Sequence, residues 1–592
     1  MVATDYILKV ISLLGGLALF LFGMDIMGKA LERQAGGKLQ TLLAKMSSTW
    51  WRGLLLGTAV TAVIQSSSAT TVMLVGFVNS GLMTLEQTLS IILGSNIGTT
   101  ITAWILSLSG LEGDAFIIQL FKPSTLAPII GVVGIVLFMF TKNEKNKGIG
   151  TIMLGFMALM TGMELMSDSM KFLKTEPWFA QLMISFENPL IGILFGTVLT
   201  AIVQSSSASV GILQGLCATG VVTYGSAIPI ILGQNIGTCV TAMLGAVGAN
   251  RNARRTAAMH LIFKIVGVAI FSVVFYGLDL FIDWKFLANT TSAVDVAIVH
   301  SLYNIGATVV LLPLRHVLLK VAYLVIPEAK EPEQTVLLDE RLLATPAVAV
   351  RRAQEVAGQM AQTAQKAMEL ASGLTVQFDD KLLQQVIDLE NETDHYEDVL
   401  GSYLVKLSGQ TLSVEDNRIL NTLLYTVSDM ERIADHALNV AEAAQEMSEK
   451  NVVFSEQARE ELAVLQRAVG DIIARSVKAY INMDIEQAVK VEPQEQVIDS
   501  LVREIKSRHV RRLRDGLCSV EYGFVLEDLL TAYERSADHC SNIAVEILQV
   551  AEGKLEAHEY LNALKAGELR ESAKFSERFA RYRDRYTFPS EK

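Results

Sequence analysis

The chain has 592 residues, of which 51% are hydrophobic, and its mean hydropathy of +0.37 excludes an ordinary soluble globular protein. Residues 1–330 carry 20 Lys+Arg and 15 Asp+Glu, whereas residues 331–592 carry 30 and 47. This division predicts a membrane domain followed by an acidic soluble domain. Four cysteines, at 217, 239, 518 and 540, are too few and too scattered for a disulfide framework or a zinc site.

Seven apolar stretches are long enough to cross a bilayer, which takes about 20 residues. They lie near residues 7–28, 84–108, 125–141, 149–170, 226–248, 257–282 and 295–326. The first is too long for a typical signal-peptide core and is predicted to be a retained span. Two further stretches, 53–80 and 192–222, are each interrupted by a Gln-Ser-Ser-Ser run. Each half is too short to span, so we expect re-entrant helical hairpins with tips buried in protein.

The first part of the chain is internally duplicated. Residues 57–103 recur as residues 196–242 without a gap, with 23 of 47 aligned positions identical. The register extends back to Gly16 and Gly23, which align with Gly155 and Gly162. We therefore expect an all-α membrane transport domain over residues 1–326, with repeat 1 at about 7–141, repeat 2 at about 149–282 and a final span at about 295–326.

Basic clusters predict the orientation of this domain. Lys and Arg concentrate in residues 29–52, 142–147, 251–255 and 315–320. With the N-terminus outside, all four clusters lie on the cytoplasmic side, and the loops at Glu112/Asp114 and Asp283 lie outside. Three crossings separate equivalent points of the repeats, so the repeats have opposite orientation. Inverted repeats with broken helices are typical of alternating-access transporters.

The best-preserved parts of the repeat are polar runs inside apolar sequence, which is costly unless they serve a site. Serine hydroxyls, with the N–H groups of a half-helix that starts there, suit an anion. Hydroxyl, amide and carbonyl oxygens also suit a sodium ion. An Asn-Ile-Gly-Thr run in each copy, at 96–99 and 235–238, predicts a second polar break. The alternative, that these small residues only pack between helices, is weakened by the paired occurrence of both runs.

These motifs, QSSSATT and QSSSASV each followed by GxNIGT, resemble the type II sodium–phosphate cotransporter family over about residues 1–325. The resemblance implies that the two hairpin tips bind inorganic phosphate and sodium jointly. The implied phosphate- and sodium-binding residues are Gln65, Ser66, Ser67, Ser68, Asn96, Thr99, Gln204, Ser205, Ser206, Ser207, Asn235 and Thr238.

The family also has a His-x-x-Phe-Asn-like motif, present here as His300-x-x-Tyr303-Asn304 and in altered form at 260–264, where Lys264 replaces the Asn. We expect Lys264 to snorkel to the inner interface. The alternative is a fixed cation near the substrate path, which would replace a sodium ion or attract phosphate. The repeat-equivalent acids Asp25 and Glu164 lie near span ends, and we expect solvation at the interface.

A charged linker, 327–346, precedes a helical acidic region at 347–592 that is also duplicated. Four Glu-x-x-x-Asp pairs recur at offsets of 105 and 103, and i, i+4 spacing places each pair on one helix face. Two ERxxDHxxN-like segments, near His436 and His539, complete a resemblance to the PhoU family. It implies cytoplasmic tandem three-helix bundles, a regulatory role, and a divalent or ferric ion held by Glu390, Asp394, Glu431, Asp435, Glu495, Asp499, Glu534 and Asp538. The alternative is ion pairing with Arg432 and Arg535.

The leading hypothesis is therefore a sodium-coupled phosphate symporter of the cytoplasmic membrane with a PhoU-like regulatory tail. Transport of another oxyanion, phosphate export, and a membrane phosphate sensor are the alternatives. An enzyme is not expected, because no base is positioned beside the serines. The implied partners are inorganic phosphate, sodium, the lipid bilayer and, through the tail, phosphate-signalling proteins. No nucleic acid is expected, and the basic segment 506–514 is interpreted as a helix face that docks onto an acidic or membranous surface.

Overall fold

The computed structural model describes residues 3–35, 49–110, 119–120, 122–327, 337–552 and 572–588. Parts of the first basic cluster, the loop with Glu112 and Asp114, and residues 328–336 of the charged linker lie outside these residues. The described residues form helices, turns and loops, with no β-strand. The chain divides into two compact units, Met1–Val348 and Ala349–Lys592.

The first unit contains fourteen α-helices among the described residues. They are α1 Ala3–Ala35, α2 Trp50–Ile64, α3 Ser67–Asn79, α4 Leu85–Ser107, α5 Pro123–Phe140, α6 Glu144–Met170, α7 Pro177–Ser185, α8 Pro189–Val203, α9 Ser206–Cys217, α10 Tyr224–Gly237, α11 Cys239–Gly245, α12 Arg251–Ile282, α13 Ala293–Leu311 and α14 Arg315–Val325. A 3₁₀ turn, Glu340–Ala344, follows.

Seven helical segments in the described residues are long and apolar enough to cross a membrane, in agreement with the seven predicted spans. They are Tyr6–Gln34, Leu85–Gly110, Pro123–Phe140, Glu144–Thr175, Tyr224–Gly245, Arg251–Ile282 and Ala293–Leu311. The last is shorter than expected, because the predicted continuous helix over 295–326 is wrong. Helix α13 ends at Leu311 and α14 starts at Arg315. Pro313 lies in the gap, and proline has no backbone N–H to donate to a helical hydrogen bond.

The two apolar stretches with serine runs are broken where predicted. Helices α2 and α3 are separated by Gln65 and Ser66, and helices α8 and α9 by Gln204 and Ser205. An additional bend of 105° separates α7 from α8 at residues 186–188, where Asn188 caps α8 and Pro189 starts it. The sequence interpretation did not include this bend.

Repeat-equivalent helices α1 and α6 pack directly against each other through glycines. A Cβ at Gly16 would lie 3.0 Å from the carbonyl oxygen of Gly162, and one at Gly23 would lie 2.7 Å from that of Gly155. As residue numbers rise along α1, the contacted residues in α6 fall, so the helices run antiparallel. Only glycine permits this approach of two backbones.

The same close packing occurs once within each repeat. Glycines of α4 pack against α2, and the equivalent glycines of α10 pack against α8. Thr58 donates a hydrogen bond to the Gly94 carbonyl (3.0 Å), and its equivalent Thr197 donates to that of Gly233 (3.1 Å). These helix pairs therefore form a rigid frame behind each serine run.

The second half of each broken stretch packs on the other repeat. Gln214 in α9 donates hydrogen bonds to the carbonyl of Ala103 in α4 (3.0 Å) and to that of Ala293 (2.9 Å). Conversely, Thr241 in α11 donates to Ser68 Oγ in α3 (3.1 Å). This exchange brings the two serine runs, 139 residues apart in sequence, towards the same region.

The second unit has two sets of three long helices, as its sequence duplication predicts. The helices are α15 Pro346–Leu374, α16 Asp380–Ser408, α17 Val414–Glu449, α18 Glu456–Asn482, the short α19 Ile485–Ala488, α20 Val491–Arg514, α21 Val520–Glu552 and α22 Ser572–Arg585. Helices α17 and α21, one from each set, pack together, and α22 lies on α20.

Candidate functional site

Both serine runs form the same local structure. Gln65 and Gln204 end the preceding helices in the left-handed region, with φ of 60° and 56°. Ser66 and Ser205 then cap the following helices, their hydroxyls accepting from the backbone N–H of Ala69 (3.1 Å) and that of residue 208 (3.2 Å). The chain thus turns sharply at each run, and the first free N–H groups of α3 and α9 point out of the turn.

The two runs line one cavity of about 290 Å³. The expectation that they converge agrees with this geometry, although their role in binding stays a prediction. Residues of α1 and one residue of the 3₁₀ turn also line the cavity. Its lining comprises Met24, Asp25, Gly28, Lys29, Glu32, Ile64, Gln65, Ser66, Ser67, Ser68, Ala69, Gln204, Ser205, Ser206, Ser207 and Ala344.

The chemistry of this lining suits an oxyanion together with a cation. Two helix N-termini and six serine hydroxyls offer donors to an anion. Lys29 adds a positive charge, and it pairs with Asp25 at 2.9 Å. Asp25 is 56% exposed, as expected for an acid solvated near the end of a span, and α1 packs so that this acid and Lys29 also line the cavity.

The glutamines at the helix breaks differ in their surroundings. Gln65 is buried, and its amide oxygen accepts a hydrogen bond from Thr102 in α4 (2.8 Å) while its amide nitrogen donates to the Ala62 carbonyl. Gln204 is exposed. Thr241, the equivalent of Thr102, donates to Ser68 instead. The repeats therefore place equivalent threonines against different groups of the same hairpin tip, 65–68.

The Asn-Ile-Gly-Thr runs do not line this cavity, and the first does not break its helix. Helix α4 continues through residues 96–99, so the predicted unwinding there is wrong. Gly98 instead permits close packing, since a Cβ would lie 2.6 Å from the Thr58 carbonyl oxygen. In the second copy, α10 ends at Gly237 and α11 starts at Cys239. Asn96, Thr99, Asn235 and Thr238 are all buried.

Lys264 is buried and does not snorkel, which corrects the default expectation. Its side chain is 3% exposed. Its ammonium group donates to the side-chain oxygens of Asn235 at 2.6 Å and Asn304 at 3.1 Å. Lys264 does not line the serine cavity. Its hydrogen bonds link the second Asn-Ile-Gly-Thr run to the His-x-x-Tyr-Asn motif.

Acidic residues of the second unit form two clusters, here called the carboxylate groups. In each, one oxygen per residue lies within 4.8 Å of the others: Asp394, Glu397 and Glu431 in one, and Glu495, Asp499 and Asp538 in the other. Five of the eight predicted ligands are thus brought together, and Glu397 was not predicted. Glu390, Asp435 and Glu534 lie outside these triplets. Clustered oxygen donors fit a hard divalent or ferric ion.

Burial and mutual repulsion raise the pKa values of two carboxyls in and beside the first group. Burial, with the nearby charges of Asp435 and Glu397, raises the pKa of Glu431 to about 7. Burial and the neighbouring Asp435 also raise the pKa of Glu390. Arg432 pairs with Asp435 (3.1 Å) and Glu431 (3.5 Å), but it is 56% exposed, so this pairing is weak compensation.

The histidines near the two groups face each other rather than the carboxylate triplets. The rings of His436 and His539 lie 5.5 Å apart, and His539 Nδ1 is 2.7 Å from Asp429 Oδ1. The basic segment 506–514 is also paired within the unit, since Arg508 and Arg512 both bind the buried carboxylate of Glu461. The acidic partner predicted for this basic segment is therefore, at least in part, Glu461 of the tail itself.

Two different family models match the membrane unit and the tail of the chain. A family model for the Na⁺/Pi-cotransporter matches residues 19–168 and 158–282, so it covers both repeats. A model for the PhoU domain matches residues 357–444 and 462–547, one match for each set of tail helices.

Residues 19–282 thus match the Na⁺/Pi-cotransporter model, and the tail matches the PhoU model twice.

Three relatives illustrate the extent of the similarity. YqeW of Bacillus subtilis is 29% identical over 312 residues, 52% of this chain and 95% of its own length. YjbB of Salmonella typhimurium, named as a candidate inorganic phosphate export protein, is 23% identical over 567 residues, 93% of this chain and 100% of its own. Sodium-dependent phosphate transport protein 2A of Rattus norvegicus is 40% identical over 105 residues, 17% of this chain and 16% of its own. Members of the family are transporters rather than enzymes.

Proposed function

We propose that this protein moves inorganic phosphate across the cytoplasmic membrane by alternating access, coupled to sodium. The observation that carries the proposal is the single cavity lined by both serine runs. In it, phosphate accepts hydrogen bonds from the serine hydroxyls and the N-termini of α3 and α9. Lys29 offsets part of the phosphate charge, and the Asp25 carboxylate and hydroxyl oxygens are available to sodium.

The internal symmetry supports alternating access. Equivalent helices α1 and α6 run antiparallel through matched glycines. The second half of each broken stretch also packs on the opposite repeat. We infer inverted repeats with re-entrant hairpins, so that rocking of one repeat against the other opens the cavity to alternate sides. With the N-terminus outside, the PhoU tail is cytoplasmic.

The direction of net transport follows the gradients of phosphate and sodium. The rat relative is named for sodium-dependent transport, whereas the Salmonella relative is named for export. Export is therefore the second candidate. A coupled carrier runs in either direction when the sum of its driving forces changes sign, so both candidates use the same cavity.

We infer that the tail regulates transport through the segment that precedes it in the chain. Residues 338–344, here called the strap, belong to the first unit and pack on α3. Asn79 at the end of α3 donates to Asp339 (2.6 Å), and the fully buried Leu342 fills the space left by Gly76. Ala344 lines the cavity. A change in the tail that pulled on the strap would thus act on α3 and its serine run.

Uptake of labelled phosphate into proteoliposomes tests the proposal. We expect uptake to require an inward sodium gradient, to fail when potassium replaces sodium, and to be competed by unlabelled phosphate more strongly than by sulfate. Binding of phosphate without sodium-dependent flux in intact vesicles would instead indicate a sensor.

Serine substitutions link this flux to the cavity. Ser68→Ala and Ser207→Ala should each weaken phosphate binding by about 10- to 100-fold, since a hydrogen bond to a charged group contributes about 1.5–3 kcal/mol. Ser90→Ala is the matched control, because Ser90 is buried in α4 outside the cavity. Equal phosphate affinity in all three variants would contradict the assignment of the cavity.

A further inference from the structure

Lys264 occupies a built cation position in the transport unit. Its ammonium group lies 2.6 Å from Asn235 Oδ1 and 3.1 Å from Asn304 Oδ1, on α10 and α13. All three side chains are at most 4% exposed. Among the described residues, no carboxylate forms an ion pair with it, so the amide oxygens carry the interaction with this charge.

The two amides are oriented for a cation. Asn235 Nδ2 donates to the Ile231 carbonyl, and Asn304 Nδ2 donates to the His300 carbonyl, both at 2.9 Å. Each amide is thereby tied to its own helix through its nitrogen, which leaves both oxygens directed at one point. Amide oxygens converging on a point are suitable ligands for sodium, and here the ammonium group fills that point.

The motif that supplies Lys264 has a second copy without a cation. Residues 260–264 read His-Leu-Ile-Phe-Lys on α12, and residues 300–304 read His-Ser-Leu-Tyr-Asn on α13. Both histidines are buried. A charge buried in a membrane-spanning helix is costly, and its usual position is beside a substrate or ion pathway. The second motif has Asn304 where the first has Lys264. A neutral side chain therefore packs at this position of the motif, which indicates that packing alone does not require the charge of Lys264.

We propose that the Lys264 ammonium is a tethered cation that replaces one coupling sodium ion. The proposal rests on the function proposed above and specifies its stoichiometry. Because Lys264 stays with the protein, the positive charge at Asn235 and Asn304 is never released with substrate. The protein therefore moves one sodium ion fewer per phosphate than a variant in which this position is open.

Lys264→Asn and Lys264→Arg in the full-length protein test this directly. Lys264→Asn opens the position, so sodium should raise its melting temperature beyond the rise seen in wild type, with choline replacing sodium as the reference. In proteoliposomes, the Hill coefficient of phosphate flux for sodium should rise by about one, because one more ion binds. Lys264→Arg keeps the charge and should therefore show no gained sodium response, whatever its effect on the rate. A folded Lys264→Asn protein with the sodium responses of wild type would overturn the proposal.

Two further variants locate the effect. Adding Asn235→Ala to Lys264→Asn should remove the gained sodium response, because one of the two amide oxygens is lost. Asn304→Ala in the wild-type background should leave the Hill coefficient for sodium unchanged, whatever its effect on the rate, since Lys264 is the cation there. A changed sodium dependence in Asn304→Ala would show that sodium itself uses this amide and would overturn the proposal, even if Lys264 variants fail to fold.

The measurements separate this proposal from the proposed function. If wild type carries no phosphate under any sodium gradient, the proposed function fails. If wild type carries phosphate and the opened variant gains no sodium response, only the tethered cation fails.

Discussion

Gln65 and Gln204 show how the same residue can serve two different purposes at equivalent positions. Both adopt left-handed backbone, which costs a residue with a Cβ about 1–2 kcal/mol. Strain of this kind persists where surrounding structure enforces it, often at functional sites. At Gln65 the enforcement includes the hydrogen bond from Thr102. Gln204 also lines the cavity but is exposed, so we expect the cavity wall to depend more on Gln65 than on Gln204.

Thr102→Val should therefore reduce transport by releasing Gln65. We expect a loss of about 3- to 10-fold in sodium-driven phosphate flux, the effect of a hydrogen bond of about 0.5–1.5 kcal/mol. Thr102→Ser should retain flux. Thr151→Val is the control, because Thr151 bonds only to a carbonyl of its own helix. If Thr102→Val and Thr151→Val gave equal flux, Gln65 would not need its partner.

The sequence located the serine runs but missed Lys29 and overlooked the place of Asp25. Polar runs repeated inside apolar sequence are a strong signal, since their burial requires a reason. Charges near the end of a span are ordinary at an interface, so their sequence context carries no such signal. Their position in the cavity depends on the packing of α1 against α6 and the hairpins, which involves residues more than a hundred positions apart.

Among the helices, the glycines of the repeat explain both what was predicted and what was not. The Asn-Ile-Gly-Thr run suggested an unwound segment, because glycine permits unusual backbone. In α4 the helix is intact, and Gly98 serves close packing on α2. A single sequence cannot distinguish these two uses of glycine, since both require the absence of a Cβ.

Gly98→Ala should destabilise the transport unit. The new methyl would meet the Thr58 carbonyl at 2.6 Å, and overpacking of this kind costs about 1–3 kcal/mol. Gly306→Ala in α13 is the matched control, since nothing lies within 4 Å of its Cβ position. We expect Gly306→Ala to be neutral or stabilising by up to about 1 kcal/mol. Thermal unfolding in detergent, followed by size-exclusion chromatography, compares the two; equal melting temperatures would show that α2 and α4 can separate without cost.

Two truncated proteins, one with the strap and one without it, test whether the strap restrains α3. A protein ending at Val348 keeps the strap, and one ending at Pro327 loses it. We expect the first to transport phosphate without regulation by the tail. The second should transport faster, because α3 is no longer held at Asn79 and Gly76, and should melt at a lower temperature, because the contacts of buried Leu342 are lost.

Initial phosphate flux and melting temperature of both truncations check this expectation. Asp339→Ala in the full chain is the milder variant and should shift flux in the same direction as the shorter truncation. Identical flux in all of these proteins would mean that the strap does not restrain α3. Loss of phosphate binding in the protein ending at Val348 would show that the tail completes the site.

The whole molecule contains a duplicated membrane unit followed by a duplicated helical tail. Apolar length predicted seven spans, and 3.6-residue periodicity predicted the tail helices, because both signals are local. The division of the last span at Pro313 was also readable from local backbone chemistry, although it was not predicted. The pairing of Arg508 and Arg512 with Glu461 was not readable, since it joins residues about 50 positions apart on different helices.

The carboxylate groups of the tail lead to a prediction about metal and pH. Glu431 has a pKa of about 7 in the folded state, above its ordinary value of 4.5. Between these values the folded tail binds more protons than the unfolded chain, so the stability of the metal-free tail should fall as pH rises from about 5 to 8. A bound cation favours the ionised carboxylate. With manganese as the probe, stability should therefore rise over the same range, because fewer protons compete for the ligands.

Thermal unfolding of the tail, residues 346–592, in EDTA and in manganese at pH 5 to 8 measures both slopes. Glu431→Gln should flatten the decline in EDTA, because the neutral amide is not repelled by Asp435 and Glu397, and it should weaken the manganese effect. Glu446→Gln is the control on the same helix, since Glu446 pairs with Lys450 outside the carboxylate groups. If manganese leaves the melting temperature unchanged at pH 8, where the repulsion is strongest, Arg432 and Arg535 neutralise these groups and no ion bridges the helices.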